Sequence, residues 1–375
     1  MRSLLLLGLL TSAFTLFGQK KTLDPSVYND WRKIGDLQLS PDGKFSVYTI
    51  KPHRGDGWLY IVNNETGKKD SVARGVEPQF SGLSSFVAFK INPGFDTLRN
   101  SELKKVNKDK WPKDTLGIWL LANDSLVKIP KIKEFKVSSE NDWLAWLGTS
   151  DEYPKDYLSK KAAKKQAKAD KKNPVKTDGK LLGIRDPNGT TAYYRHVTQF
   201  DIAKNGSYVA YVEQQKYKKD SVRLFVHTTS ENAKALWKAP QRYTEISQLN
   251  FGTSNTYLAG LYSTDTTEEK RWNGFLLDCT NGSWRVFADT NQRFEDCRMI
   301  SENYKPKVSP DESYVLFGVW DAPEKPFKDT LLESEKVKLD VWHWKDPRIQ
   351  PQQLVELKHD QNNYNLYAFH LADKH

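Results

Sequence analysis

Ser40-Pro41-Asp42-Gly43-Lys44-Phe45-Ser46-Val47-Tyr48-Thr49-Ile50 is a tight turn running into an alternating apolar strand. Proline presets the first corner, aspartate bonds its own local backbone, and glycine supplies the positive φ that closes the turn. The same shape returns at Val308-Ser309-Pro310-Asp311-Glu312-Ser313-Tyr314-Val315-Leu316-Phe317-Gly318, and more loosely at Ile202-Ala203-Lys204-Asn205-Gly206-Ser207-Tyr208-Val209-Ala210-Tyr211. Degenerate copies stand at Phe80–Phe89, Val137–Trp146 and Phe251–Gly260.

Each copy is followed, after a polar gap, by a second aromatic-rich strand: Trp58–Val62, Ile118–Leu121, Val222–Val226, Trp272–Leu277 and Leu339–Trp344. Successive turns lie about 40 to 65 residues apart, at and above the spacing of four-stranded blades. Periodicity is near two throughout, and almost no helical stretch is expected. Short strands at intervals also suit a sandwich, but one recurring turn-plus-strand signature favours radial repeats. The fold expected is therefore all-β: a β-propeller with about six recognisable four-stranded blades, an incomplete set, over residues 19–375. The 375 residues suit two ordinary domains or one large β-domain. A hydrophobic share of 38% with 12% aromatics excludes a disordered chain.

Residues 1–18 read as a secretory signal peptide: Met1-Arg2-Ser3, a leucine run from Leu4 to Leu10, then Ala13, Phe14, Leu16, Phe17 and Gly18. Cleavage is expected after Gly18, leaving Gln19, although Leu16 fits the small-residue rule poorly. The apolar run is too short for a membrane span, and no later segment is apolar enough to supply one. The expected location is periplasmic or secreted.

The Ser-Pro-Asp-Gly turn with its strand resembles the TolB-type propeller repeat. Leu23-Asp24-Pro25-Ser26-Val27-Tyr28-Asn29-Asp30-Trp31 with Ile34, the turn at Leu39–Lys44, and Gly55-Asp56-Gly57 resemble the N-terminal propeller of secreted Bacteroidetes-type peptidases. Those belong to the prolyl oligopeptidase family of serine peptidases, including the dipeptidyl and acylaminoacyl types. The resemblance implies a propeller that caps an α/β-hydrolase domain and filters peptide substrates by size. That domain needs its nucleophile on a G-x-S-x-G elbow, and no such pentapeptide occurs here; Gly82-Leu83-Ser84-Ser85-Phe86 starts correctly and then fails. No catalytic residue is assigned, and the chain alone is expected to be inactive, with the hydrolase part missing. The alternative is a free-standing periplasmic TolB-like propeller that binds a protein or glycan.

No cofactor or metal ligand set is expected. The seven histidines (His53, His196, His227, His343, His359, His370, His375) include no H-E-x-x-H pair. The 21 glycines stand singly at turns and form no phosphate-cradling loop. Glu268-Glu269 sits in a polar turn and reads as a solvated hairpin tip. Cys279 and Cys297 flank a strand-turn-strand stretch and either form a disulfide in an oxidising compartment or remain two half-buried thiols. Two cysteines exclude a multi-cysteine zinc module.

The net charge of +10 points towards an anionic partner until the charges are placed. Lys155 to Lys180 holds ten lysines against three aspartates, so this insertion carries +7 of that total. The rest is near neutral, and no nucleic-acid partner is expected. Alanine and lysine favour helix and Pro174 stops it, so the insertion is an exposed helix or a disordered loop with no face to bury. Lys160, Lys161, Lys164, Lys165 and Lys168 offer weak contact with an anionic surface.

Overall fold

The computed structural model describes residues 25–154, 157–172, 178–217, 219–228, 231–238, 245–253, 255–265, 270–290, 298–321 and 343–372. The signal-peptide stretch, Glu268-Glu269, Cys297 and most of Leu339–Trp344 lie outside the described residues. The chain divides into two compact units, one of residues 1–39, 43–78 and 90–112, the other of residues 40–42, 79–89 and 113–375.

The first unit holds an antiparallel meander of β1 (Arg32–Leu39), β2 (Phe45–Pro52), β3 (Trp58–Asn63) and β4 (Lys69–Ala73). Val47, Leu59 and Ile61 are buried on one of its faces, as the period-two alternation requires. Helix α1 (Phe95–Leu103) follows, with Asp56 Oδ1 accepting from the Phe95 amide at 2.8 Å.

A ten-stranded antiparallel sheet follows in chain order: β5 (Gly75–Phe80), β6 (Phe86–Ile91), β7 (Asp114–Leu120), β8 (Ser125–Val137), β9 (Leu144–Gly148), β10 (Lys180–Arg185), β11 (Thr191–Ile202), β12 (Tyr208–Tyr217), β13 (Lys219–Thr228) and β14 (Glu231–Lys238). It resolves into three four-stranded repeats, because β8 and β11 each change partner midway. Strand β8 pairs with β7 up to Ile132 and with β9 from Ile132 onwards. Strand β11 pairs with β10 up to Val197 and with β12 from Val197 onwards. The outer strand of one repeat thus runs straight into the inner strand of the next. Each join is marked by one left-handed residue: Arg74 (φ 63°), Lys131 (φ 61°) and His196 (φ 62°), all seven positions before a repeat turn.

A fifth repeat is β15 (Glu245–Asn250), β16 (Tyr257–Ser263), β17 (Asn273–Asp278) and β18 (Trp284–Ala288). In the sixth, β19 (Met299–Ile300) and β20 (Lys307–Val308) share one edge of β21 (Tyr314–Trp320), and β22 (Asn365–His370) takes the other.

The cores of the second unit lie between successive repeats. Phe86, Leu116 and Ile118 pack with Phe135, Leu144 and Trp146. Leu147, Leu182 and Ile184 pack with Phe200, Val209 and Tyr211. Leu224 and Val226 meet Leu249, Phe251 and Phe275, and Leu261, Leu276 and Phe287 meet Val315, Phe317 and Val319. Each repeat therefore buries both faces only when flanked, which is the behaviour of stacked blades. The chain is all-β, built of propeller-type blades, and every turn-plus-strand copy read from the sequence is present.

The repeat turns share their chemistry. Ser81 Oγ accepts from the Ser85 and Phe86 amides at 3.0 and 3.2 Å, and Ser309 Oγ from those of Ser313 and Tyr314 at 3.0 and 3.1 Å. The fourth turn residue is left-handed at Gly43, Ser84, Gly206 and Glu312. Only two of these four are glycine, and the left-handed Ser84 is one reason the Phe80–Phe89 copy looks degenerate in sequence.

Two expectations need correction. Helix is not confined to the Lys-rich insertion, since α1 and a further helix at Gln350–Gln361 lie outside it. Neither has a buried residue, so neither writes an apolar stripe into the sequence. The insertion itself forms α2 (Lys160–Lys172) and does have an inward face. Ala162, Gln166 and Asp170, four residues apart, are partly buried, whereas Lys160, Lys161, Lys164, Lys165 and Lys168 are exposed. That face is polar, fastened by the single Arg195–Asp170 ion pair instead of apolar burial, and so escapes a search for hydrophobic periodicity.

Candidate functional site

Aligning the six turns on Ser40, Ser81, Ser138, Ala203, Gly252 and Ser309 exposes a second signal, in the inner strands that precede them. One and three positions upstream the residues are apolar: Leu39, Phe80, Val137, Ile202, Phe251 and Val308, then Leu37, Pro78, Phe135, Phe200, Leu249 and Pro306. Two and four positions upstream every residue is polar: Gln38, Gln79, Lys136, Asp201, Asn250 and Lys307, then Asp36, Glu77, Glu134, Gln199, Gln248 and Lys305. This columnar alternation was present in the sequence and is visible only once the turns are stacked.

An extra residue interrupts the inner strand at the same level in four repeats, where the register shifts between Gly35 and Gln38, Ile132 and Glu134, Val197 and Gln199, and Ser247 and Asn250. Asp36 and Gln248 there have φ of 50° and 59°, and Glu77, at the same column position in the second repeat, has φ of 53°. Such bulges re-aim side chains at sheet edges.

The polar residues lace one repeat to the next. Gln38 Nε2 donates to the Pro78 carbonyl at 2.8 Å, and Lys136 Nζ lies 3.4 Å from the Phe200 carbonyl. Asp201 Oδ2 accepts from the Phe251 amide at 2.9 Å, and Asn250 Nδ2 donates to the Pro306 carbonyl at 2.7 Å. One column further out, Gln199 Oε1 accepts from the Leu249 amide at 3.0 Å and Gln248 Nε2 donates to the Glu302 carbonyl at 2.7 Å. A side chain of one inner strand thus satisfies a backbone group of its neighbour that lies beyond the strand ladder.

Three of the charged members gather in one place. Lys136 Nζ is 2.5 Å from Asp201 Oδ1, and Lys305 Nζ is 3.8 Å from Asp201 Oδ2. The carboxylate is 8% exposed, so it is shielded from water and held by two ammonium groups and one amide. Burial pushes the Lys305 amine down to about 8, with Lys136 acting in the same direction and Asp201 opposing. A cavity of about 390 Å³ has Lys133, Thr198, Gln199, Gln214, Glu245 and Ser247 in its lining.

The residues singled out from sequence fall elsewhere. Cys279 is buried, and burial raises its thiol to about 12; its partner in the expected disulfide lies outside the described residues. His196 Nδ1 sits 2.7 Å from Asp151 Oδ2 without hydrogen-bond geometry, and His227 is lowered by burial. Among the described residues no three His, Cys, Asp or Glu side chains gather as a metal site, and no helix is long and apolar enough to cross a membrane.

No protein-family model matches the sequence, and no curated protein does. Solved structures with a similar strand arrangement include the β-propeller domain of the trilobed protease of Pyrococcus furiosus, at 10% identity and a TM-score of 0.39, over 78% of this chain and 80% of that one. Acylaminoacyl peptidase of Pyrococcus horikoshii is similar at 10% identity and a TM-score of 0.40, over 80% of this chain. This chain spans only 44% of that peptidase. An oligogalacturonate lyase in complex with manganese is similar at 15% identity and a TM-score of 0.40, over 75% of this chain and 72% of that one.

Proposed function

We propose that the chain is the non-catalytic propeller portion of a prolyl oligopeptidase-like serine peptidase, of dipeptidyl or acylaminoacyl type. In this reading it governs which peptides reach an α/β-hydrolase domain that these 375 residues do not contain. The observation that carries the reading is the pair of polar columns. Every repeat places hydrophilic side chains at both positions of its inner strand, as a passage for extended peptide requires. The resemblance at Leu23–Trp31, Leu39–Lys44 and Gly55–Gly57 supplies the family, and the lack of a G-x-S-x-G elbow supplies the inactivity. Residues 1–18 act as an export signal, so the mature protein begins at Gln19 outside the cytoplasm.

The coding DNA beyond codon 375 tests this. An in-frame or frameshifted continuation encoding G-x-S-x-G is expected; an unrelated gene after a clean stop would replace this reading with the free-standing partner-binding propeller. Purified protein is expected to release nothing from a chromogenic Gly-Pro substrate, and measurable hydrolysis would overturn the assignment of inactivity. Edman sequencing of exported protein should begin at Gln19.

A further inference from the structure

We infer that the first repeat carries a binding site for a small molecule with an anionic group, carboxylate or phosphate, beside a flat ring. The site is a cavity of about 590 Å³ where a short 3-10 helix (Pro25–Asp30) runs into β1 against the C-terminal end of β2. Small-molecule sites span about 300–1,000 Å³ and combine apolar walls with a few convergent polar groups.

The wall is aromatic. Tyr28 and Trp31 meet with ring centroids 4.9 Å apart, yet they stay 46% and 57% exposed. Side chains of this size dominate binding energetics when covered, and a ring of similar shape covers them best. The backbone behind them is fixed. The Trp31 amide donates to the Tyr28 carbonyl at 3.4 Å, and the Trp31 carbonyl accepts from the His53 amide at 2.9 Å. The wall is therefore in place before a ligand arrives, which lowers the ordering cost of binding.

The charge around the wall has one sign. Arg32, Lys33, Lys51 and His53 line the cavity, and no acid does. Lys33 and Lys51 stand directly opposite each other in the β1–β2 register, a pairing that like charges destabilise. Lys51 Nζ has Asp36 Oδ2 at 3.7 Å, whereas among the described residues no acid pairs with Arg32 or Lys33. An anion beside Lys33 relieves the cross-strand repulsion through charge-assisted hydrogen bonds. A bare anion leaves the aromatic wall in water, and a neutral ring leaves the lysines opposed. The site thus favours both features in one molecule, and carboxylate and phosphate satisfy these cations alike.

Titration calorimetry of the full chain with phenylacetate, phenyl phosphate, phenylacetamide and acetate tests this. At least one of the two ring-bearing anions is expected to bind at least about tenfold tighter than the neutral amide and than acetate. The tighter of the two identifies the anionic group. Trp31→Ala and Lys33→Gln, both at exposed positions and checked by circular dichroism to be folded, should each lose at least about fivefold in affinity. Trp344→Ala, which removes an indole 84% exposed in the sixth repeat, should lose nothing. Failure of both ring-bearing anions to bind, an amide or acetate that binds as tightly, or unchanged affinity in either Trp31→Ala or Lys33→Gln would each overturn the inference. Equal loss in Trp344→Ala would overturn it too, as would self-association of the chain that Trp31→Ala abolishes.

Discussion

Lys136 on the inner strand of the third repeat closes to 2.5 Å on Asp201 of the fourth, and Asp201 passes the contact on to the Phe251 amide of the fifth at 2.9 Å. One carboxylate therefore joins three consecutive repeats. Since each repeat in such an array is stabilised chiefly by its neighbours, a residue that bridges three has more leverage than its own contacts suggest.

Asp201→Ala removes the carboxylate and leaves Lys136, Lys305 and the Phe251 amide without it. Breaking a buried pair costs about 3–5 kcal/mol. Lys136 is about a third exposed, so a loss of about 2–3 kcal/mol is expected in urea unfolding. A double-mutant cycle with Lys136→Met should recover part of it. A loss below about 0.5 kcal/mol would dismiss the bridge.

Lys305 sets a pH dependence whose sign follows from its depressed amine. Its folded value is about 8 against 10.5 in the unfolded chain, so between these values the unfolded state binds more protons and stability rises with pH. The unfavourable contribution is fully present below about pH 8 and is relieved towards pH 10.5. Urea midpoints at pH 7.5 and pH 10 should therefore differ between wild type and Lys305→Met, with wild type gaining relative to the variant at the higher pH. Parallel pH profiles would refute the shift.

Gly82 lies where the second repeat turn meets the third: its amide donates to the Ser138 and Asn141 carbonyls at 3.2 and 2.9 Å. A Cβ at this position would run into the backbone of Glu140 and Asn141, which has no rotamer to yield. Gly82→Ala should cost about 1–3 kcal/mol by overpacking, read as a lowered Tm. Gly43→Ala meets no neighbour and tests only the left-handed turn, at φ 75°, so it should cost less.

Ser309→Ala removes the acceptor for the Ser313 and Tyr314 amides in a buried turn. The Ser313 amide keeps Asp311 Oδ1 at 3.3 Å, but leaving the Tyr314 donor without this acceptor costs about 1–3 kcal/mol. Thermal unfolding should show the loss, and Ser309→Thr, which retains the hydroxyl, should restore most of it.

The buried Cys279 thiol, raised to about 12, should resist a thiol reagent at pH 8 in the folded protein. Unfolding without reductant then decides the pairing: two titratable thiols dismiss a Cys279–Cys297 bridge, and none establishes it.

The turn-plus-strand copies at Ser40, Ser81, Ser138, Ala203, Gly252 and Ser309 determine the strands by themselves, because Pro, Asp, Gly and period-two alternation act within a few residues of one another. The polar columns are equally local, although they show only against the stacked turns. What the sequence leaves open is partnership. That Lys136 meets Asp201 across 65 residues, or that Asp170 meets Arg195 and so gives a lysine-rich helix an inward face, depends on which strands lie side by side. Ion pairs and backbone stitches leave no periodicity in the chain, since each joins two points whose nearness only the folded sheets create.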